Sequence, residues 1–252
     1  MVDRRIAAHA AGRSRRVSAG AKAFLPYGRH QIDEDDILAV VDVLKSESLT
    51  GGALVERFES ALARRLEAPF AVVCSNGTAA LHLAVLALDL QPGDTVIVPS
   101  LTFLATASAP TYVGAEVVFS DVDPSTGLMT KEHLAEAIAR SNGNVRAVFP
   151  VHLSGACVDL AQIGAVAREH NLSIVDDACH AIGAAWCDEP IGCGRRSAMS
   201  IFSMHPVKTI AMGEGGAITT ADPVLAERLR RYRNHGMVRD PARFLQPSEA
   251  FD

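Results

Sequence analysis

Short apolar segments alternate with longer helical segments along most of the chain, and this alternation limits the possible folds more than any other feature of the sequence. The apolar segments are rich in valine and isoleucine, as strands buried on both faces are. Each is followed by a segment long enough for a helix that crosses back over a sheet. We therefore expect an α/β fold with three layers, α/β/α, around a mostly parallel sheet. The predicted strands cover residues 71–74, 95–99, 116–119, 145–151, 172–175, 198–202 and 216–220.

Helices are predicted where apolar residues recur at helical spacing. The first opens with the acids of residues 33–36, which favour a helix N-terminus, and carries an apolar stripe of Ile37, Val40, Val41 and Leu44. The other predicted helices run through residues 58–66, 79–88, 102–113, 131–140, 160–169 and 223–232.

The composition is that of a globular protein and excludes several kinds of partner. Hydrophobic residues make up 48% and charged residues 21% of the 252-residue chain, which is ordinary for a folded domain. The formal net charge of −5 predicts no nucleic-acid partner, because an acidic surface repels phosphates. No apolar run approaches the ~20 residues that cross a bilayer, so we expect no membrane partner and a cytoplasmic location.

The five cysteines are scattered without CxxC spacing, which indicates reduced thiols rather than a disulfide framework. Cys187 and Cys193 lie near His180 in the sequence, but their spacing fits no usual zinc pattern. We predict no metal site.

The N-terminus differs in composition from the rest of the chain. Its first 20 residues contain five arginines and one acid, as a transit peptide does. A solvated leader or a start codon placed too early explains the same composition, and we prefer these two. We predict a flexible leader at residues 1–22 and one domain over residues 23–252.

Three polar segments follow predicted strands, at the edge where open α/β sheets bind ligands. They are residues 75–78, Asp176-Asp177 with His180, and residues 203–208. In the first, backbone amides at a helix start can hold a phosphate, and the Thr78 hydroxyl can add a hydrogen bond. The same residues also suit a plain helix N-cap.

Lys208 and Asp177 together indicate a specific chemistry. Lys208 follows a buried strand and precedes the glycine-rich residues 213–216, so its backbone is constrained, and a lysine there can form a Schiff base. Asp177 can pair with the ring nitrogen of pyridoxal phosphate, although a cap or a metal ligand is an alternative. Phe103 can stack on a cofactor ring or belong to the core.

Several long motifs in one order resemble the DegT-type sugar aminotransferases, a fold type I family that depends on pyridoxal phosphate. They are SNGTAALHLA, PGDTVIVPSLTFLATASAPTYVGAEVVFSDVD, VFPVHLSG, IVDDACHAIGA, FSMHPVKTIAMGEGGAITT and RNHG. The resemblance implies the large domain of that fold and pyridoxal phosphate as the cofactor.

The resemblance also assigns roles to the polar residues. Lys208 carries the cofactor and moves the proton, Asp177 pairs with the ring nitrogen, and His180 lies beside the phenolic oxygen. We expect these three to be the catalytic residues. The remaining cofactor contacts implied are Gly77, Thr78 and Ser203 at the phosphate and Phe103 on the ring.

The histidine at position 180 and the segment HGMVRDPARF resemble most the subgroup that makes UDP-4-amino-4,6-dideoxy-N-acetyl-β-L-altrosamine in pseudaminic acid biosynthesis. That subgroup moves an amino group from glutamate to C4 of a UDP-linked 4-keto-6-deoxy-N-acetyl hexose. The substrate contacts implied are Tyr27, Glu47, Ser48, Leu49, Thr50 and Gly77. A C3 or C4 aminotransferase for another nucleotide sugar is the alternative. His152, His205 and Arg233 fit either substrate contacts or structural hydrogen bonds.

Members of the family continue beyond the position where this sequence ends, with a segment that reaches a partner's cofactor and a small C-terminal domain. We expect that small domain to be absent here and cofactor binding to be weak, with a homodimer for a full-length protein. A non-catalytic remnant is a second alternative. A dehydrogenase-type nucleotide domain lacks support, because no GxGxxG motif follows the first strand.

Overall fold

The computed structural model describes residue 26, residues 28–46 and residues 48–238. The predicted leader, Tyr27 and Glu47 lie outside the described residues, as do residues 239–252, which hold most of the segment HGMVRDPARF.

The strands of the described residues are β1 (Phe70–Cys74), β2 (Asp94–Pro99), β3 (Glu116–Ser120), β4 (Asn144–Val148), β5 (Ser173–Asp177), β6 (Ala185–Trp186), β7 (Glu189–Pro190), β8 (Met199–Ser203) and β9 (Gly216–Thr220). Seven of them form one sheet in the order β1-β9-β8-β5-β4-β2-β3, and the other two form a small hairpin, β6-β7. The described helices are α1 (Glu34–Lys45), α2 (Ala53–Arg65), α3 (Gly77–Ala87), α4 (Leu104–Thr111), α5 (Lys131–Arg140), α6 (Leu160–Glu169) and α7 (Pro223–Arg233).

The sheet is parallel except at one strand. β9 runs antiparallel to both of its neighbours, β8 and β1, whereas the other pairings are parallel. Every residue of β2 and β9 is buried, as expected for strands covered on both faces. The prediction of an α/β fold with a mostly parallel sheet is therefore confirmed.

Helices cover both faces of the sheet and give the predicted three layers. In β2, Val96 and Val98 pack with helices α3, α4 and α7, whereas Ile97 between them packs with α5 and α6. Helix α2 covers the β1 end of the second face through Leu62, which packs with Phe202 of β8. This alternation follows from the two-residue period of strand side chains.

Three elements differ from the sequence prediction. Ladder pairing of β4 ends at Val148, and Phe149 instead donates its amide to the Ile97 carbonyl, 2.8 Å away. Helix α4 begins at Leu104, so Phe103 precedes the helix as its N-cap residue. The hairpin β6-β7 adds two short strands to those predicted; its turn uses positive φ at Cys187 and Asp188, an arrangement that Asn-Gly usually marks in a sequence.

Helix α1 has a regular N-terminus and little tertiary packing. The Asp33 carboxylate accepts from the amides of Asp35 and Asp36 and completes a capping box with the Asp36 side chain. None of its residues is buried, and Leu44 is 65% exposed. Within the described ranges, no helix combines the length and the apolar character that a membrane span requires.

Candidate active site

The three predicted polar segments meet at one edge of the sheet. The parallel strands β5 and β8 end there at Asp177 and Ser203. Because β9 is antiparallel, its first residue lies at the same edge, where Gly216 pairs with Ser203 on one side and with Cys74 on the other. The loop that carries Lys208 therefore starts and ends beside the segment that leads into helix α3.

Helix α3 presents its N-terminus to this edge. The Asn76 side chain caps the helix by accepting from the Ala79 amide at 2.8 Å. The amides of Gly77 and Thr78, in the first turn, have no intrahelical acceptor and are placed to bind an anion. A Cβ on Gly77 would lie 3.1 Å from the Ser203 Cβ, so the Ser203 hydroxyl lies beside the same turn.

Gly216 allows the close approach of two segments of the site. A Cβ at this position would overlap the carbonyl group of Asn76. Since that carbonyl belongs to the residue that caps helix α3, any side chain at 216 would push the helix N-terminus away from the Lys208 loop. The glycine is thus required by backbone packing rather than by an unusual φ.

Asp177 is buried and held in a defined orientation. Its Oδ2 accepts from the Thr106 hydroxyl at 2.7 Å, and its Oδ1 accepts from the Cys179 amide at 3.1 Å. The residue is 4% exposed. Each carboxylate oxygen can accept two hydrogen bonds, so both oxygens retain capacity for a further donor.

His180 is half-buried with a fixed ring tautomer. The Ser154 amide donates to its Nδ1 at 3.2 Å, so a neutral ring carries its proton on Nε2. Burial lowers the pKa of His180, and the nearby Lys208 ammonium lowers it further, whereas Asp177 opposes the shift. The ring is therefore a neutral hydrogen-bond donor at pH 7.

The Lys208 ammonium lies close enough to His180 and Cys179 to act on them electrostatically, and its side chain makes no hydrogen bond within the described residues. Its positive charge acts on both His180 and Cys179. Its backbone amide donates to the His205 carbonyl at 2.8 Å, which closes a turn. Among the described residues, no hydrogen bond or ion pair engages its Nζ, so the amine is available for chemistry.

Phe103 is placed at the same edge, after strand β2. It is 73% exposed, so the alternative that it belongs to the core is wrong. The following helix α4 carries Thr106, which sequence reasoning did not single out, toward Asp177. The Thr102 and Thr106 hydroxyls, one helical turn apart, are 2.8 Å from each other.

Two thiols border the site and are held neutral. Burial raises the pKa of the Cys74 thiol to about 11. Burial, with the Asp177 carboxylate adding to it, raises the pKa of Cys179 well above its ordinary value. Neither thiol supplies a competing nucleophile near neutral pH.

The predicted substrate contacts are less closely joined to this cluster. Ser48, Leu49 and Thr50 lie in the exposed turn between α1 and α2, where the Ser46 hydroxyl donates to the Ser48 carbonyl at 3.1 Å. The hydrogen bonds of the described ranges do not connect this turn to Asp177 or Lys208. Gly77 is the exception, because it is part of the α3 N-terminus.

His152 and Arg233 make structural hydrogen bonds, which was one of the two alternatives for them. His152 is fully buried and bonded through both ring nitrogens. Arg233 pairs with Glu59 and donates to the Val73 carbonyl at 3.1 Å, while Glu59 accepts from the Val73 amide at 2.9 Å. This pair satisfies the open edge of β1. His205 is exposed, and its Nδ1 accepts from the Val207 amide at 3.4 Å.

The donor and acceptor groups at this edge fit pyridoxal phosphate. The α3 N-terminus suits a phosphate, and the absence of a Cβ at Gly77 keeps the space between Ser203 and Cys179 open. The buried Asp177 carboxylate suits a protonated ring nitrogen, and the Nε2 proton of His180 suits a phenolic oxygen. Lys208 supplies the amine.

Comparisons with known proteins identify relatives along most of the chain. Residues 30–249 match the model of the DegT/DnrJ/EryC1/StrS aminotransferase family. The UDP-4-amino-4-deoxy-L-arabinose–oxoglutarate aminotransferase of Shewanella sediminis is 39% identical over 214 residues, which are 85% of this chain and 54% of that protein. The chain thus spans about half the length of the curated relative that it matches.

Solved structures share the fold. A proposed sugar aminotransferase from Streptococcus pneumoniae, in its PLP form, is 30% identical with a TM-score of 0.77, covering 83% of this chain and 57% of that one. PseC of Helicobacter pylori, an aminotransferase involved in pseudoaminic acid biosynthesis, is 28% identical with a TM-score of 0.78, covering 86% of this chain and 58% of that one.

These matches confirm the fold class and identify the cofactor of the family as pyridoxal phosphate. The family model covers the sheet, the α3 N-terminus and the Lys208 loop in one continuous stretch. The chain belongs to the DegT/DnrJ/EryC1/StrS aminotransferase family.

Proposed function

We propose that this chain is the cofactor-binding part of a nucleotide-sugar aminotransferase that receives its amino group from glutamate. The observation that carries the proposal is the meeting of Asp177, His180 and Lys208 at the edge where the α3 N-terminus also opens. The relative from Shewanella sediminis is named for oxoglutarate, the keto acid that glutamate becomes when it gives up its amino group, and this supports glutamate as the amino donor.

Bound pyridoxal phosphate supplies an electron sink for the carbon that loses its proton. Lys208 would hold the cofactor through its amine and would move a proton at the substrate carbon. The hydrogen bond from the Lys208 amide to the His205 carbonyl closes a turn, which would restrict where the amine can lie.

The other side chains of the site would hold pyridoxal phosphate in place and stabilise the charge on its ring. Asp177, oriented by Thr106, would accept a hydrogen bond from the protonated ring nitrogen and keep that nitrogen charged. His180 donates from Nε2 to the phenolic oxygen, because Ser154 occupies its Nδ1. The amides of Gly77 and Thr78 and the Ser203 hydroxyl bind the phosphate, and Phe103 covers the ring.

For the acceptor, we propose C4 of a UDP-linked 4-keto-6-deoxy-N-acetyl hexose, as in pseudaminic acid biosynthesis. The PseC neighbour and His180 in the motif IVDDACHAIGA support this substrate. The relative from Shewanella sediminis, which is named for UDP-4-amino-4-deoxy-L-arabinose, favours a second candidate, C4 of a UDP-linked pentose. In both candidates the acceptor is a UDP-linked 4-keto sugar.

The cofactor assignment is tested by absorbance spectra of the 252-residue chain titrated with pyridoxal phosphate. The wild type and Lys131→Ala, which removes an exposed lysine on α5, are expected to develop a band at the visible edge. Lys208→Ala is expected to show none. An equal band in Lys208→Ala would disprove the anchor role, and no band in any variant would favour the non-catalytic alternative.

The acceptor is tested by supplying the two UDP-linked 4-keto sugars with glutamate and identifying the amino-sugar products by mass spectrometry. We expect amination of the 4-keto hexose. Preferred amination of the pentose would replace the first candidate with the second while leaving the cofactor assignment intact.

A further inference from the structure

A second buried polar cluster lies directly beneath Asp177. Asp176, the preceding residue of β5, is fully buried, and its Oδ1 accepts from the Ser200 hydroxyl at 2.8 Å. Its Oδ2 lies 3.2 Å from the Nε2 of His152, which is also fully buried. The reaction assigned to Lys208 and Asp177 makes no direct use of this cluster.

The hydrogen bonds of His152 fix its ring. The Val158 amide donates to Nδ1 at 3.0 Å, so the neutral ring has its proton on Nε2 and donates it to Asp176. Both ring nitrogens are therefore used, and the ring cannot rotate without leaving a buried polar group unpaired. A buried polar group without a partner destabilises the fold, so the ring stays in this orientation.

The backbone of His152 in turn holds Asp177. The His152 amide donates to the Asp177 carbonyl at 3.0 Å, and the Asp177 amide donates to the Pro150 carbonyl at 2.8 Å. Val151, between them, forms a parallel bridge with Asp177. The regular β4-β5 pairing stops at Val148 and Ile174, so among the described residues the backbone bonds on this side of Asp177 come from residues 150–152.

These contacts form a closed circuit. It runs from the Asp176 carboxylate through the His152 ring to the His152 amide, then to the Asp177 carbonyl and back along the chain to Asp176. Ser200, on the neighbouring strand β8, anchors the circuit from the other side. A catalytic group must be held to within about 0.5 Å, which buried second contacts of this kind achieve.

We propose that His152, held between Asp176 and the Val158 amide, is a positioning residue that sets the location of the Asp177 carboxylate for the cofactor ring nitrogen. The proposal rests on the proposed function of Asp177. His152 does not touch the cofactor and acts through the backbone of Asp177.

The test compares His152→Ala and His152→Gln with Ile163→Val, a core change on helix α6 that removes no hydrogen-bonding group. Ile→Val removes one buried methyl group and so controls for a general loss of stability. His152→Gln keeps a donor toward Asp176. The affinity of the 252-residue chain for pyridoxal phosphate is measured by titration, and amide hydrogen exchange is measured without cofactor.

We expect His152→Ala to weaken cofactor affinity about tenfold or more, His152→Gln to weaken it less, and Ile163→Val to change it by less than about twofold. The exchange rates of the His152 and Asp177 amides should rise in the same order. Equal affinities in all variants, or losses that follow only the melting temperatures, would overturn the proposal. So would a glutamine variant no better than the alanine variant.

The two proposals fail separately. If the wild type binds cofactor and the His152 variants bind it equally well, the positioning role is wrong and the proposed function stands. If the wild type binds none, the proposed function fails for this chain. The exchange rates then still decide the structural role of His152, and unchanged rates at Asp177 would overturn it.

Discussion

Asp176 and Asp177 are adjacent, both buried and both bonded by two donors, yet they lie in different surroundings. Asp177 accepts from Thr106 on helix α4, on the face that α3 and α7 also cover. Asp176 accepts from His152 and Ser200, and the Val158 amide that holds His152 belongs to the opposite face. Successive strand residues point to opposite faces, so one strand end serves both clusters.

Access to the site, rather than burial, distinguishes the two. Both partners of Asp176 are essentially inaccessible, His152 at 0% and Ser200 at 1% exposure. Asp177 borders His180 and Lys208, which are both half-buried and so open toward solvent. A buried carboxylate enclosed by protein donors supports the fold, whereas one that faces an opening can take a ligand donor.

The largest expected effect is on stability, from Asp176→Ala. Removing this carboxylate leaves the His152 Nε2 proton and the Ser200 hydroxyl without their acceptor, at about 1–3 kcal/mol for each. We expect the free energy of unfolding to fall by about 2–4 kcal/mol in urea titrations of the cofactor-free chain.

The matched control for that variant is Asp42→Ala, at an exposed position of helix α1. Surface substitutions of this kind change the free energy of unfolding by about 0.5 kcal/mol or less. If Asp176→Ala lowered the free energy of unfolding no more than Asp42→Ala does, Asp176 would not be the structural member of the two neighbouring aspartates.

Asp177→Asn should have the opposite profile. Asparagine keeps an acceptor for Thr106 but loses the charge that a protonated ring nitrogen needs. A hydrogen bond to a charged group is worth about 1.5–3 kcal/mol, so cofactor affinity should fall about tenfold to a hundredfold. The free energy of unfolding should fall by less than in Asp176→Ala, because only the Cys179 amide loses its acceptor.

Thr106→Val sharpens the same comparison, because it removes only one donor to Asp177. We expect it to weaken cofactor affinity less than Asp177→Asn does, in the same absorbance titration. An Asp177→Asn chain that binds cofactor normally but unfolds at much lower urea would show that this aspartate is structural, like its neighbour.

The sequence predicted the parts of this site that have a chemical signature. Asp177, His180 and Lys208 are reactive residue types that follow apolar strands, and the ends of parallel strands meet at one edge. Thr106 has no such signature. It lies in a helix of small residues, 71 positions from Asp177, and only the packing of α4 on the sheet brings the two together.

Other features depend on strand direction and register, which composition does not reveal. β9 is as apolar as the strands that run parallel to one another, yet it runs antiparallel to both of its neighbours. The Lys208 loop therefore ends beside the α3 N-terminus. The pair Asp176-Asp177 predicts that the two side chains face opposite sides. Which side holds the site is decided by the helices above and below, and so only by the complete fold.

The smallest expected effect is a pH dependence that separates His180 from the enclosed cluster. Burial and the Lys208 charge lower the folded-state pKa of His180 below its ordinary value of 6.5. As the pH falls through 6.5, the unfolded chain takes up a proton on this histidine before the folded chain does, so stability is lost toward acid.

We expect the free energy of unfolding of the cofactor-free wild type to decline more steeply below pH 6.5 than that of His180→Gln. Above that pH the two curves should run parallel. Identical slopes in acid would mean that the histidine is as solvated in the folded chain as in the unfolded one, and its assignment as a neutral donor at the site would then fail.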